Sequence, residues 1–214
     1  MGKFFAIGDI HGCISHLEDL VAKIKINPVR DRIVFIGDYV DRGPDPKGVV
    51  EFILELKDRF QVVCLAGNHE RMMLDYHDYG HNKTLWFMNG GTATVASYGL
   101  KSTPEGKKIN LPDEHLRFFR SLLPYYETDK YIFVHAGLKP GVPLPDQELI
   151  DLVWIREDFI DSEYDFGKRV IFGHTPLHSG PYVDPYKIGI DTGAVYGGKL
   201  TCLELPAIKF YETP

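Results

Sequence analysis

The sequence predicts an α/β fold, a sandwich of two β-sheets flanked by helices and carrying a helical insertion. In the first third of the chain, apolar strands alternate with amphipathic helices, which is typical of a layered α/β sheet. From about residue 125 the pattern turns to strands, which predicts a second sheet packed against the first. Residues 80–124 are richer in Gly, Asn and Lys, and we expect them to form a helical cap that shapes access.

Each strand of the first third runs into a glycine-led polar loop and then a helix. The strands are residues 3–7 (KFFAI), 32–36 (RIVFI) and 61–66 (QVVCLA). Ser15 and Glu18 are spaced as a capping box for the first helix. Asp45 followed by Pro46 predicts the start of the second helix, and the GNHE segment opens a third.

The rest of the chain predicts one insertion helix and the second sheet. Pro112 and Asp113 start a helix that runs through Leu123. The strands assigned to the second sheet lie within residues 131–137, 169–175, 187–193 and 199–205. Because no linker, repeat or low-complexity tract interrupts the pattern, residues 1–214 are predicted to form one domain.

Composition excludes several classes of protein. No apolar run approaches the roughly 20 residues of a membrane span, and the N-terminus lacks a signal-peptide pattern, so a cytoplasmic location is expected. A net charge of −6 argues against a nucleic-acid partner bound through a basic face. Cys13, Cys64 and Cys202 lie far apart without CxxC spacing, so we expect reduced thiols and neither a disulfide framework nor a zinc knuckle.

The stretch VFIGDYVDRG, residues 34–43, ends an apolar strand in Asp38, Asp41 and Arg42. A solvated turn needs only one Asp and a Gly, so the further charges are surplus to that interpretation. Carboxylates this close repel one another unless a cation lies among them, which indicates a metal or an anion site.

Five strands end in the same kind of loop, with oxygen and imidazole donors after a glycine or a β-rich run. The candidate metal ligands are Asp9, His11, Asp38, Asn68, His135 and His174. Any one of these histidines alone is better explained as a satisfied core residue. Because independent turns would not repeat these donors, the set predicts that the loops converge on a metal site.

The candidate donors are too many for one open catalytic ion, and the two oxygens of Asp38 could bridge a pair. Two divalent ions suit in-line displacement at phosphorus, because together they activate a water and stabilise the attacking and leaving oxygens. Carboxylate, amide and imidazole donors without thiolate favour Mn²⁺ or Fe, with Zn²⁺ as an alternative.

The motifs GDIHG, GDYVDRG, GNHE, HAG and FGHT resemble, in order, those of the phosphoprotein phosphatase family of calcineurin-like metallophosphoesterases. The likeness is greatest to the small bacterial and bacteriophage lambda-type serine/threonine phosphatases and covers nearly the whole chain. It implies a two-sheet metallophosphoesterase sandwich. It also implies a first metal on Asp9, His11 and Asp38, and a second metal on Asp38, Asn68, His135 and His174.

The remaining charged residues of these motifs suit catalysis. Arg42 and Arg156 are expected to clamp phosphoryl oxygens, although a turn salt bridge and a surface charge are the plainer interpretations. His69, oriented by Asp41, is expected to protonate the leaving alkoxide. Attack by a metal-bound hydroxide needs no phosphoenzyme, so no cysteine has to act as nucleophile.

The first functional hypothesis is a phosphomonoesterase acting on phosphoserine and phosphothreonine in proteins, with phosphotyrosine and small phosphoesters as further substrates. The alternative is a symmetrical bis(5'-nucleosyl)-tetraphosphatase, and a third is a non-catalytic metal-binding adaptor, which would need neither His69 nor the arginines. The chain lacks the third glycine-rich histidine motif of eukaryotic catalytic subunits and stops at Pro214. We therefore expect no dedicated regulatory subunit.

Overall fold

The computed structural model describes residues 2–99, 109 and 111–213, and within them ten strands form two sheets of five. The strands are β1 Phe4–Ile7, β2 Arg32–Phe35, β3 Gln61–Cys64, β4 Tyr125–Glu127, β5 Tyr131–Val134, β6 Arg169–Phe172, β7 Tyr182–Val183, β8 Lys187–Gly189, β9 Thr201–Leu205 and β10 Lys209–Glu212. The helices are α1 Ile14–Lys23, α2 Pro46–Arg59, α3 Asn68–Tyr79, α4 Lys83–Trp86, α5 Thr92–Ser97, α6 Asp113–Arg120, α7 Leu149–Trp154 and α8 Glu157–Ile160.

The fold is an α/β sandwich of two mixed sheets flanked by helices, as the sequence predicts. The first sheet has the order β10-β9-β1-β2-β3, and the second has the order β4-β5-β6-β8-β7. In each sheet three neighbouring strands are parallel, β1-β2-β3 and β5-β6-β8. An apolar layer that includes Val34, Phe133, Ile171, Ile188 and Leu203 lies between the sheets and holds them face to face.

The strand predicted at residues 199–205 lies in the first sheet, and its assignment to the second sheet was wrong. This strand, β9, pairs antiparallel with β1, with Leu205 opposite Phe4 and Cys202 opposite Ile7. All five of its residues are buried, which is the pattern of a strand covered on both faces. Such a pattern identifies a strand but does not identify the neighbour with which it pairs.

Of the two predicted helix caps, that of α2 is confirmed and that of α1 was wrong. Asp45 accepts a hydrogen bond from the Gly48 N–H at 3.0 Å, and Pro46 occupies the first turn of α2 as predicted. The predicted capping box is absent because α1 already begins at Ile14, which places Ser15 inside the first turn. Cys13 is the residue at the cap, and its side chain makes no capping bond.

The described part of the insertion contains α4 and α5, joined through a π-helical turn at Phe87–Gly91, and then α6. Residues 100–108 and 110 of the predicted cap lie outside the described residues. The predicted helix through Leu123 ends earlier, at Arg120, and Leu123 instead forms a parallel bridge with Leu65 beside the first sheet. This bridge ties the end of the insertion back to the sheet.

No helix in the described part of the chain is long and apolar enough to cross a membrane. The three cysteines are free thiols, with Cys64 and Cys202 buried and Cys13 partly exposed.

Truncation of Leu203 tests the apolar layer between the sheets. Leu203 is fully buried, so Leu203→Ala is expected to lower the free energy of unfolding by about 2–5 kcal/mol through lost burial and an incompletely filled cavity. Urea unfolding measures this change. Val183→Ala, at a side chain that is 47% exposed, is the control and should change stability by less than about 0.5 kcal/mol. Equal effects of the two variants would contradict the assignment of Leu203 to the core.

Candidate metal centre

The candidate site lies where the carboxyl ends of strands from both sheets meet. The first sheet provides the loops after β1, β2 and β3, and the second provides the loops after β5 and β6. The structure brings all ten residues singled out in the sequence to this edge, namely Asp9, His11, Asp38, Asp41, Arg42, Asn68, His69, His135, Arg156 and His174. The edge at which the strands end is where α/β sheets bind their ligands.

Asp38 is at the centre of the cluster and is only 1% exposed. One carboxylate oxygen lies 3.3 Å from His11 Nε2, and the other lies 3.5 Å from His135 Nε2. Two groups of possible metal ligands share this residue, because His11 and His69 join Asp38 in one group and His135 and His174 join it in the other. A carboxylate common to two groups is suited to bridge two ions.

The ring nitrogens that face Asp38 carry lone pairs. His11 Nδ1 donates to the Val40 carbonyl at 2.8 Å, and His135 Nδ1 donates to the Ile36 carbonyl at 3.0 Å. Each bond fixes the tautomer and leaves Nε2 as an acceptor, which is the arrangement of metal-binding histidines.

Two of the histidines facing the second group of ligands lack a positive partner. His135 Nε2 faces the Asn68 amide oxygen at 3.1 Å, so two acceptors oppose each other. The buried Nε2 atom of His174 has no hydrogen-bond partner among the described residues. Unpaired buried polar atoms are costly unless an unseen partner binds them, and the His/Asp cluster fits a metal site.

Asp9 follows β1 and belongs to neither group of possible metal ligands. Its carboxylate accepts the His174 N–H at 3.0 and 3.2 Å. Its place on a first metal therefore stays a prediction.

The backbone is strained where the donors stand. Seven non-glycine residues of the described chain have positive φ, and five of these belong to the candidate site. They are His11, Asp38, Asp41, Arg42 and His174, with φ between 46° and 69°. Positive φ is unfavourable for residues that carry a side chain. Such strained residues are common at functional sites, where the surrounding structure holds them in place.

Glu70 maintains the loop after β2. Its buried carboxylate accepts the N–H groups of Asp38 at 3.0 Å, Tyr39 at 2.8 Å and Val40 at 3.2 Å. It also accepts the Gly67 N–H at 3.0 Å, so one side chain joins the loops after β2 and β3. This role of Glu70 was not predicted, although Glu70 directly follows His69 in the GNHE motif.

Asp41 and His69 form a buried pair supported by the insertion. His69 Nδ1 lies 2.7 Å from an Asp41 oxygen, to which it donates. Trp86 Nε1 donates to the same oxygen at 2.9 Å, and Thr94 Oγ1 donates to the other at 2.5 Å. Trp86 is fully buried, and neither its bond nor that of Thr94 was predicted.

Two guanidinium groups approach the cluster from opposite sides. Arg42 donates to His11 Nε2 at 2.6 Å, and its guanidinium lies 5.5 Å from the Tyr196 ring centre. Arg156 donates to Thr175 Oγ1 at 3.3 Å, next to His174. Trp154 is half-buried and packs edge-on against the His174 ring, with 5.8 Å between the ring centres.

Burial and mutual charge set the protonation of the cluster. Burial by itself would raise the pKa of Asp38, but the surrounding imidazoles of His135, His69, His11 and His174 bring that pKa well below its usual range. Burial lowers the pKa of His11 to about 3 and that of His174 to about 2. At neutral pH both rings are therefore neutral and can offer lone pairs to a cation, and the guanidinium of Arg42 already donates to that of His11.

A further carboxylate, Asp191, stands beside the cluster and was not predicted. Burial raises the pKa of Asp191 to about 6, and burial together with Asp191 and Asp38 raises the pKa of Asp9. Several acids in one buried place disfavour each other's charge, which a divalent cation would reverse. Asp191 follows β8 in the stretch IDTGAVYGG.

Comparison with known proteins gives consistent results. The family model of the calcineurin-like phosphoesterases matches residues 2–200. A relative from Bacillus cereus (strain Q1), named bis(5'-nucleosyl)-tetraphosphatase PrpE [asymmetrical], is 29% identical over 99% of this chain and 94% of its own.

Among solved structures, one provisionally assigned as a diadenosine tetraphosphatase superposes with a TM-score of 0.75 at 23% identity, over 100% of this chain and 93% of its own. A cold-active protein-tyrosine phosphatase from a Shewanella species gives a TM-score of 0.69 at 17% identity, over 100% and 81% of the two chains. These structural likenesses indicate a shared fold.

Acid should destabilise the metal-free protein through His11. Its pKa is near 6.5 in an unfolded chain and about 3 in the fold. Because the unfolded state binds the proton first, the free energy of unfolding falls as the pH drops from about 6.5 towards 3, by up to about 1.4 kcal/mol per pH unit. Urea unfolding of chelated wild type and His11→Asn at pH 7 and pH 5 measures this.

The stability of the wild type relative to His11→Asn should decrease by about 2 kcal/mol between those two pH values. The exposed His81→Asn is the matched control for loss of an imidazole. A difference between wild type and His11→Asn that does not change with pH would contradict the assignment.

Proposed function

The chain belongs to the calcineurin-like phosphoesterase family, and we propose that it hydrolyses phosphate monoesters of serine and threonine in proteins. The observation that supports this most is the buried His69–Asp41 pair with its Trp86 and Thr94 bonds. An alkoxide is a poor leaving group, so its departure needs a well-oriented proton donor. A binding protein without catalysis has no use for such a pair.

In this mechanism the chain's own residues bind the phosphate and move one proton. Arg42 and Arg156 bind nonbridging phosphoryl oxygens through their planar forks and hold the phosphorus in line for attack by water. His69 carries a proton on Nε2, and Asp41 stabilises the charge on the ring through Nδ1. When the P–O bond breaks, that proton passes to the leaving oxygen, and water supplies the new bond to phosphorus without a covalent enzyme intermediate.

The residues proposed to hold two divalent ions are Asp9, His11, Asp38, Asn68, His135 and His174. Bound there, the ions would lower the pKa of the attacking water and offset negative charge on the phosphoryl oxygens. Donors without thiolate favour Mn²⁺ or Fe, with Zn²⁺ as an alternative. We propose no regulatory subunit and no nucleic-acid partner.

The second candidate substrate is a dinucleoside tetraphosphate. It is favoured by the name of the relatives, which are about 29% identical over nearly the whole of both chains. The name of these relatives specifies asymmetrical cleavage. The alternative hypothesis drawn from the sequence was the symmetrical reaction. A phosphate leaving group is much less basic than an alkoxide, so this reaction depends less on His69.

Parallel assays distinguish the two substrates. Phosphoserine, phosphothreonine and phosphotyrosine peptides and diadenosine tetraphosphate are compared after chelation and addition of Mn²⁺. We expect the phosphoserine and phosphothreonine peptides to have the highest kcat/KM. If diadenosine tetraphosphate exceeds them by orders of magnitude, the proposal is wrong, and the products then distinguish asymmetrical from symmetrical cleavage.

Replacement of the proton donor tests the mechanism separately. His69→Asn should lower kcat on phosphoserine peptides by about 10²–10⁴-fold, because the leaving alkoxide is no longer protonated. Binding of Mn²⁺, measured by calorimetry, should be nearly unchanged, and a peptide ester with an acidic phenol leaving group should lose less activity. Equal losses on both esters would remove His69 from the role of general acid.

A further inference from the structure

A lysine is buried on the outer face of the second sheet, among apolar neighbours. Lys187, in β8, is only 3% exposed. The next residue, Ile188, points into the layer between the sheets, so Lys187 points to the opposite face, on which Val170 and Phe172 pack. Lysine is rarely buried without partners.

The ammonium group of Lys187 is bonded to backbone. It donates to the carbonyl oxygens of Phe159 at 2.9 Å and Ile160 at 2.7 Å, and to that of Ser162. The Asp184 carboxylate lies 3.7 Å away. All three donors of the ammonium are thus used on three carbonyls at and just beyond the C-terminal end of α8. The Phe159 carbonyl also accepts the Ser162 N–H at 3.3 Å. A cation at this end of a helix suits the helix dipole.

The other end of α8 begins at Arg156. The N–H groups of Phe159 and Ile160 both donate to the Arg156 carbonyl at 2.9 Å. The Phe159 ring lies close against the HAG loop, since a Cβ on Gly137 would be 2.3 Å from it. The position of the Arg156 backbone therefore depends on one helical turn, which Lys187 holds at its far end.

We propose that Lys187 is a positioning residue for Arg156, acting through α8 to keep the guanidinium within reach of the phosphoryl group of the substrate. This inference rests on the phosphate-binding role given to Arg156 in the proposed function. Lys187 itself contacts neither the substrate nor the candidate metal ligands. Its loss should therefore weaken phosphate binding and leave metal binding intact.

The test measures binding of inorganic phosphate to the manganese-loaded protein by calorimetry, which requires no turnover. Lys187→Met should raise the phosphate Kd by about tenfold, because small displacements of a binding group have large effects. The affinity for Mn²⁺ should be unchanged. Arg156→Ala should raise the phosphate Kd at least as much, and adding Lys187→Met to Arg156→Ala should cause no further loss.

The matched control is Lys168→Met. Lys168 also bonds a backbone carbonyl, that of Thr128, and a carboxylate, that of Glu127, but it precedes β6 and these partners lie at the turn between β4 and β5, not on α8. This control should leave the phosphate Kd unchanged. Urea unfolding shows which variants are folded. If Lys187→Met is not folded, Lys187→Gln, which keeps two donors, replaces it and should raise the phosphate Kd several-fold.

An unchanged phosphate Kd in the folded Lys187 variant would overturn the inference. So would an equal additional loss in the Arg156→Ala background, because that is the result of a purely structural role. If phosphate binds as described but no phosphoester is hydrolysed, the proposed function fails and the role of Lys187 in phosphate binding stands.

Discussion

The charge of Asp38 is the constraint on which the rest of the site depends. This carboxylate is buried at the end of β2, where its ionisation is unfavourable unless positive or hydrogen-bonded partners surround it. Imidazoles from both sheets surround its oxygens, and Glu70 binds the N–H groups of its loop. The lone pairs directed at this point make a cation the natural partner. The strained backbone at Asp38 is maintained by this set of bonds.

Because the donors come from both sheets, the geometry of the site depends on how the two sheets pack together. His135 from the second sheet donates to the Ile36 carbonyl of the first, and the His174 N–H bonds Asp9 after β1. The apolar layer between the sheets fixes their relative position and so fixes the distances between these groups. A shift of one sheet would separate the two groups of candidate ligands that share Asp38. The stability contributed by the apolar layer between the sheets therefore offsets the unfavourable crowding of these buried donors.

The sequence predicted the donors well because each one stands in a short local pattern. A glycine after an apolar strand marks the strand end, and strand ends meet at one edge, so Asp9, Asp38 and His135 could be placed together without coordinates. The partners of Asp41 that were not predicted are distant from it along the chain, since Trp86 and Thr94 lie 45 and 53 residues from Asp41. The sheet assignment of β9 was wrong for the same reason, because its pairing with β1 is a long-range contact that local periodicity does not indicate.

The described residues of the insertion hold the loop after β2 from behind. The expected role of the insertion as a cap that shapes access stays a prediction. The Gly90 carbonyl accepts the Arg42 N–H at 3.1 Å, and a Cβ on Gly90 would lie 2.7 Å from the Arg42 side chain. Trp86 and Thr94 hold both oxygens of Asp41. Because both Asp41 and Arg42 have positive φ, they need such external support. The proposed proton donor and one of the arginines proposed to bind phosphate thus depend on the insertion, while the candidate metal ligands depend on the packing of the two sheets.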